Sequence, residues 1–315
     1  MTIALAGGTS SIGRSIVDGL LEQGRNDFII FSRATHPTLQ THIVDYKDVD
    51  KLVHELEQLR IEVVISALSI DNESSGRAQL NLIEAARRSR CVSRFIPSEY
   101  GGIDYAPDPE YFPMRIRHIP PYLYKVEAAK ALEASGLEYA RISNGLLLDY
   151  WSAPRLPTYL RELYVMWVDF ANNFAALPGD GSATIVVTHS RDIGRAVARL
   201  LTLDRWEPKY SVIGNRLTMN QIVQMAEDIK GEKFQVQYDT ANRLREGHIT
   251  LTPRLRAYVD RQDERTRELL IKIWATTSLR LVEGHLDYEF EHSLNKIFPD
   301  MVFITISDAI KAWKD

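Results

Sequence analysis

Short apolar runs alternate with polar stretches of helical period along the first half of the chain. Ile3 to Ala6 is the first run. It breaks into Gly7-Gly8, crosses Thr9-Ser10-Ser11 and reaches Gly13, and Ile12, Ile16, Val17, Leu20 and Leu21 then recur at helical spacing. Asp27 to Phe31, Glu62 to Ala67 and Arg94 to Ile96 read as further buried strands, and Glu138 to Ser143 as a fifth. Between them the spacing predicts helices over roughly Asp48 to Leu59 (after His42-Ile43-Val44-Asp45), Gln79 to Arg88, and Tyr122 to Ser135, the last closed by Gly136 as a C-cap. Strands alternating with helices in this way predict right-handed βαβ crossovers and an α/β fold with a doubly wound parallel sheet covered on both faces.

The second half changes character. Leu177 to Gly181 predicts a turn, Ala183 to Thr188 a strand, and Asp192 caps a helix running to about Leu203. Tyr210 to Ile213 is strand-like, Thr218 caps a helix ending at Lys230-Gly231, and Thr252-Pro253 opens a largely helical stretch to about Val282. In that stretch Leu255, Tyr258, Leu269, Leu270, Ile273 and Trp274 have the spacing of core or lid packing. The expected organisation is a doubly wound domain over residues 1–150 and a mostly helical region over 151–315, with some later strands and helices returning to the first.

Composition narrows the partners. The net charge is −4, from 38 basic and 42 acidic residues, without a dense basic block, so no electrostatic footprint for nucleic acid is present. The cations of Arg87-Arg88-Ser89-Arg90 end a predicted helix, where they suit its dipole. The single cysteine, Cys91, excludes an internal disulfide and a thiolate metal cluster, and no metal is expected. No apolar run is long enough for a membrane span, and the expectation is a cytoplasmic protein, monomer or homodimer, acting on a small molecule.

The chemistry begins in the first turn. A strand, a glycine turn and a helix form a dinucleotide site when the turn lets the backbone approach a pyrophosphate and the helix aims its free N–H groups at it. Ser10 stands where the pattern usually has its middle glycine; it brings a Cβ near the phosphates and a hydroxyl able to donate to one. The alternative is an ordinary strand–helix turn. The second strand ends in Ser32-Arg33, where NAD sites usually place an acidic residue; a guanidinium suits a 2′-phosphate instead, which favours NADP(H). Arg33 is otherwise a solvent-facing charge at a strand end. Ala67 to Ser69 and Pro97 to Tyr100 end the next two strands, on the carboxyl edge where such cofactors bind. Gly101 to Pro121 is a long stretch with five prolines, and its Tyr105, Tyr111, Phe112 and Met114 either line a substrate pocket or anchor the loop.

Several motifs resemble the NmrA-like, isoflavone-reductase-like branch of the atypical short-chain dehydrogenases. GGTSSIG is similar to the family's GATGxxG, and Arg94 to Gly101 (RFIPSEYG) to its RFxPSEFG signature. Lys125 to Glu133 resembles its K-x-x-x-[RK]-[RK]-x-[IL]-E helix, and Ser143-Asn144 the segment after strand five, with Leu where the family often has Phe. Gly179-Asp180-Gly181 with Asp192-Ile193-Gly194, and Phe298-Pro299-Asp300 with Thr305-Ile306, match later stretches. The resemblance implies an NADP(H)-binding Rossmann domain over residues 1–150, a smaller substrate-binding domain over 151–315, and Lys125 at the position of the family's catalytic lysine. A surface helix lysine is the alternative for Lys125. The usual Tyr-x-x-x-Lys of short-chain dehydrogenases is absent, since Pro121 stands four residues before Lys125. A lone His285 reads as structural.

The candidate cofactor-binding residues are therefore Gly7, Thr9, Ser10, Ser11, Ile12, Arg33, Ala67, Leu68, Ser69, Pro97, Ser98, Lys125 and Asn144, with Tyr100, Tyr105 and Tyr124 toward the substrate. The leading expectation is an NADPH-dependent oxidoreductase reducing a bulky, cyclic, largely apolar molecule of specialised (secondary) metabolism, with Lys125 as proton donor or relay. An NADP(H)-dependent cyclase that uses a redox step to set up ring formation, and an NADP(H)-sensing regulator without chemistry, are the alternatives.

Overall fold

The computed structural model describes residues 1–101 and 120–314. The loop aromatics Tyr105, Tyr111, Phe112 and Met114 lie outside the described residues. In chain order the first elements are β1 (Thr2–Ala6), α1 (Ser11–Glu22), β2 (Phe28–Ser32), β3 (Thr41–Ile43), α2 (Val49–Gln58), β4 (Ile61–Ser66), α3 (Glu73–Arg88), β5 (Arg94–Ile96), α4 (Pro120–Glu133), β6 (Glu138–Tyr139) and β7 (Arg141–Ser143). Then follow β8 (Leu146–Leu147), α5 (Asp149–Ser152), β9 (Val168–Asp169), β10 (Phe174–Pro178), β11 (Thr184–Thr188), α6 (Ser190–Leu200), β12 (Lys209–Ser211), β13 (Asn215–Thr218), α7 (Met219–Lys230) and β14 (Gln235–Asp239). The chain closes with α8 (Ala241–Arg245), α9 (Pro253–Val259), α10 (Glu264–Val282), α11 (Leu294–Ile297) and α12 (Ile306–Lys311).

Two compact units result. The first comprises Met1–Ser143, Arg191–Val212 and Phe290–Pro299. Its sheet has the order β3-β2-β1-β4-β5-β6 with every pair parallel, the doubly wound arrangement expected from the alternating runs. Because successive side chains point to opposite faces, Ala4 and Ala6 join Phe31, Val64 and Phe95 in one core with Leu52, Leu56, Leu82 and Leu132 of α2, α3 and α4. On α1, Ile16, Val17 and Leu20 are equally buried. At Gly194 α6 meets the backbone of α1 directly: a Cβ there would overlap the carbonyl oxygen of Ser15. That close approach is the physical requirement behind the glycine of Asp192-Ile193-Gly194.

The structure changes four local expectations. β3 is a strand that the pattern missed, because Thr41–Ile43 is a short edge strand with no buried residue. α3 starts at Glu73 rather than Gln79: its first turns are too polar to show a period, but Asn72 and Ser75 close a reciprocal capping box. The fifth strand is two. Ala140 N donates to Phe95 O at 3.1 Å, and the next residue, Arg141, turns its N–H to Pro208 O at 3.0 Å, so β6 pairs with β5 and β7 with β12. Asp192 does not cap α6; it lies inside the first turn and accepts from Arg195 Nη1 at 3.0 Å. Thr218, Gly231 and Thr252 cap as expected.

The second unit comprises Asn144–Ser190, Ile213–Glu289 and Asp300–Asp315. It contains sheets of order β13-β11-β8 and β14-β10-β9. Its core gathers Trp151, Trp167, Phe170, Leu255, Trp274 and Leu281. Tyr164 stands edge-on to Tyr258, with ring centroids 5.1 Å apart, beside Trp274, whereas Leu269 is exposed. Among the described residues no helix is long and apolar enough to cross a membrane.

Candidate active site

The glycine turn after β1 is built for close approach. Gly7 has φ +83°, a conformation that side chains rarely adopt, and a Cβ there would stand 2.5 Å from Ala67 O at the end of β4. A Cβ on Gly13 would overlap the carbonyl oxygen of Gly7, so the first turn of α1 rests directly on the glycine turn. Ser10 is the N-cap of α1, and its side chain makes no capping hydrogen bond; Ser11 follows at φ +50° and Ile12 is buried. The first N–H groups of α1 thus receive no acceptor from their cap side chain, and they open between β1 and β4, where the strand order reverses. A turn that excludes Cβ atoms beneath a helix N-terminus fits a pyrophosphate. Thr9 belongs to the same turn.

Arg33 is exposed just past β2. With Asp45, Tyr46, Lys47, Asn72 and Arg77 it lines a cavity of about 740 Å³. Sequence reasoning missed Lys47 and Arg77 as companions of Arg33. Both depend on elements that the pattern misplaced, β3 and the start of α3. Arg77 is shared with Glu73 at 3.5 Å on the exposed face of α3.

The ends of β4 and β5 are stitched together. Ser98 Oγ donates to Leu68 O at 2.8 Å, and Ser98 N donates to Oε1 of the buried Gln79 at 2.7 Å. Ala67 N donates to Ala6 O at 2.8 Å, Pro97 is buried, and the Ser69 hydroxyl donates to the Asp71 carboxylate. Ser66 Oγ and Gln79 Nε2 are buried here without a hydrogen-bond partner among the described residues, the state of groups that a polar ligand satisfies.

Lys125 stands on α4, partly accessible. Burial of the ammonium pushes its pKa down to about 8, against the pull of Glu99 and Asp71, while Arg141 adds to the fall. Gly101 is its neighbour: a Cβ on that glycine would lie 3.2 Å from Nζ. Tyr100, at φ +29°, has a buried hydroxyl with no hydrogen bond among the described residues, and burial drives its phenol to stay protonated. Tyr124 has a packing role, since its ring occupies the space a Cβ on Gly76 would need between α3 and α4. Tyr105 lies outside the described residues. Asn144 belongs to the second unit, where Nδ2 donates to Gly145 O at 3.0 Å. The first unit therefore brings together the glycine turn, the β4 and β5 ends and Lys125. Among the described residues no cluster of His, Cys, Asp and Glu could hold a metal ion.

Comparisons with known proteins point to the same cofactor class. A family model described as NAD(P)H-binding matches residues 7–155. The oxidoreductase BOA1 of Botryotinia fuckeliana is 35% identical over 238 residues, 74% of this chain and 77% of that protein. The oxidoreductase swnN of Metarhizium robertsii is 29% identical over 99% of this chain and 97% of its own. Among solved structures, AtPrR2 with NADP+ and (+)pinoresinol superposes with a TM-score of 0.75 at 20% identity, covering 99% of this chain and 98% of that one.

Proposed function

From the premise that the chain belongs to the isoflavone-reductase-like family of NAD(P)H-binding oxidoreductases, we propose that it is an NADPH-dependent reductase of a bulky, cyclic, largely apolar small molecule, with Lys125 as the proton donor. One observation carries the reading: an ammonium made acidic by burial, at about 8, on the unit that bears the dinucleotide turn. A proton donor works best when its pKa lies near the operating pH, and an exposed lysine near 10.5 is too weak an acid for that.

NADPH supplies the hydride when bound; the chain's own residues do the rest. Gly7, Ser10, Ser11 and the N–H groups of α1 bind the pyrophosphate. Arg33 offers paired donors to a 2′-phosphate, with Lys47 and Arg77 adding positive charge to the same cavity. The Ser98 hydroxyl, committed to Leu68 O, fixes the turn rather than reacting. Lys125 Nζ delivers the proton to the acceptor atom left negative by the hydride. Tyr100 offers its unpartnered hydroxyl to the substrate. AtPrR2 is seen with NADP+ and (+)pinoresinol together, which makes (+)pinoresinol and aryl-substituted cyclic ethers of similar size the first substrates to screen. In that screen Lys125→Ala abolishes turnover while the affinity for NADPH changes by less than about tenfold. Turnover equal to the unaltered protein would remove the role assigned to Lys125.

A further inference from the structure

The turn after β5 carries a buried ion pair that the reading above does not use. Glu99 is 8% exposed, and Arg141, the first residue of β7, is 5% exposed. The Arg141 guanidinium grips the Glu99 carboxylate: Nε lies 2.9 Å from each oxygen, and Nη2 donates to Oε1 at 2.6 Å. Two residues beyond Glu99 comes Gly101, against Lys125 Nζ. Gly101 also forms a parallel bridge to Ser143, two residues beyond Arg141 on β7. The ion pair and the bridge therefore pin both ends of β7 to the turn that faces Lys125. Stability alone does not call for such a pair, because burying two charges costs about as much as their attraction returns, and apolar residues of the same volume often hold a fold better.

Resting on Lys125 as the proton donor, we propose that Glu99 and Arg141 are positioning residues for Lys125, Glu99 balancing the ammonium across the turn and Arg141 holding Glu99 in place. The charged groups facing Lys125 come from three elements. Glu99 after β5 and Asp71 before α3 favour the ammonium, Arg141 on β7 opposes it, and burial opposes it most. Tyr100 feels the same Glu99 and stays a neutral phenol. Glu99 has a larger influence than Arg141, so the pair as a whole keeps Lys125 protonated in a site whose burial would otherwise strip the proton.

The test reads Lys125 directly, without cofactor or substrate. The lysines are reductively methylated with 13C-formaldehyde, and the signal absent from Lys125→Arg is titrated by NMR in the full chain. In Glu99→Gln the midpoint falls by about one pH unit, because an attractive charge is lost while Arg141 remains. In the double variant Glu99→Gln/Arg141→Gln it lies between that value and the unaltered protein's. Glu99→Asp, which keeps the carboxylate, restores the original midpoint. The alkaline limb of the pH profile of kcat/KM follows the same order. Midpoints that coincide in all variants, or a double variant as low as the single one, overturn the proposal. Should Glu99→Gln not fold, a double variant titrating below Glu99→Asp carries the same test, and equal midpoints refute it. A midpoint that moves while the kinetic limb stays fixed supports the pair and refutes Lys125 as the proton donor.

Discussion

Replacing Lys125 by methionine separates chemistry from stability and gives a number for each. Methionine keeps an unbranched chain of similar length and removes the charge. The native ammonium titrates at about 8 instead of 10.5, and each pH unit is worth about 1.4 kcal/mol, so at pH 7 the folded protein bears a penalty of about 3 kcal/mol for holding that charge. Between these two values the native lysine has lost its proton and the unfolded one has kept it. The unfolded state then binds more protons, and stability rises with pH across that window. By pH 9.5 the penalty is smaller by about 2 kcal/mol than at pH 7. Urea unfolding followed by tryptophan fluorescence at the two pH values measures it for both proteins. Lys125→Met is expected to be inactive, and its stability advantage at pH 7 should fall by about 2 kcal/mol at pH 9.5. A difference between the two proteins that is constant with pH would refute burial as the origin of the shift, and with it the physical basis for Lys125 as an acid near neutral pH.

Other consequences are open to simpler assays. Arg33→Ala should weaken NADPH binding about 10- to 100-fold in a fluorescence titration while leaving NADH within about threefold, since charge-assisted hydrogen bonds to one phosphate are lost. Gly13→Ala forces a methyl into the carbonyl of Gly7 and should abolish dinucleotide binding and cost about 1–3 kcal/mol by urea titration. Ser10→Gly should keep NADP(H) binding within about tenfold, because glycine restores the usual backbone approach; complete loss would make the hydroxyl a required phosphate ligand. Gly194→Ala, which drives a Cβ into the Ser15 carbonyl, should lower stability by about 1–3 kcal/mol, seen as a fall in the thermal midpoint.

How much of this was legible in the chain depended on whether a feature is local. β1, the glycine turn and α1 are adjacent in sequence and need no distant partner to be recognised. Thr218 and Gly231 announce α7 by capping chemistry alone. β3 escaped because an edge strand of three residues carries no buried alternation, and α3 lost its first turns because Glu73-Ser74-Ser75 is polar on every side. The break at Ala140 is set by a change of partner from Phe95 to Pro208, which no local pattern encodes. The same limit applies within the site. Arg33 was visible at the end of a strand, but its cavity with Lys47 and Arg77 needed β3 and the true start of α3. Lys125 was found through its motif; as a bare residue it was one more helix lysine behind a proline. The Glu99–Arg141 pair joins residues 42 apart, and only the pairing of β5 with β6, which runs on into β7, brings them together.

Net reduction consumes NADPH in step with product. The direct measurement uses NADPH carrying deuterium at both C4 positions with largely apolar aryl-substituted cyclic ethers, enones and imines, following absorbance of the reduced nicotinamide and product mass together. The expected result is one NADPH oxidised per product formed, with a product that gains two hydrogens, one of them deuterium. Product formed without equivalent loss of NADPH would assign the protein to redox-neutral cyclisation. Equal binding of NADP+ and NADPH with no oxidation across the panel would contradict a reductase altogether.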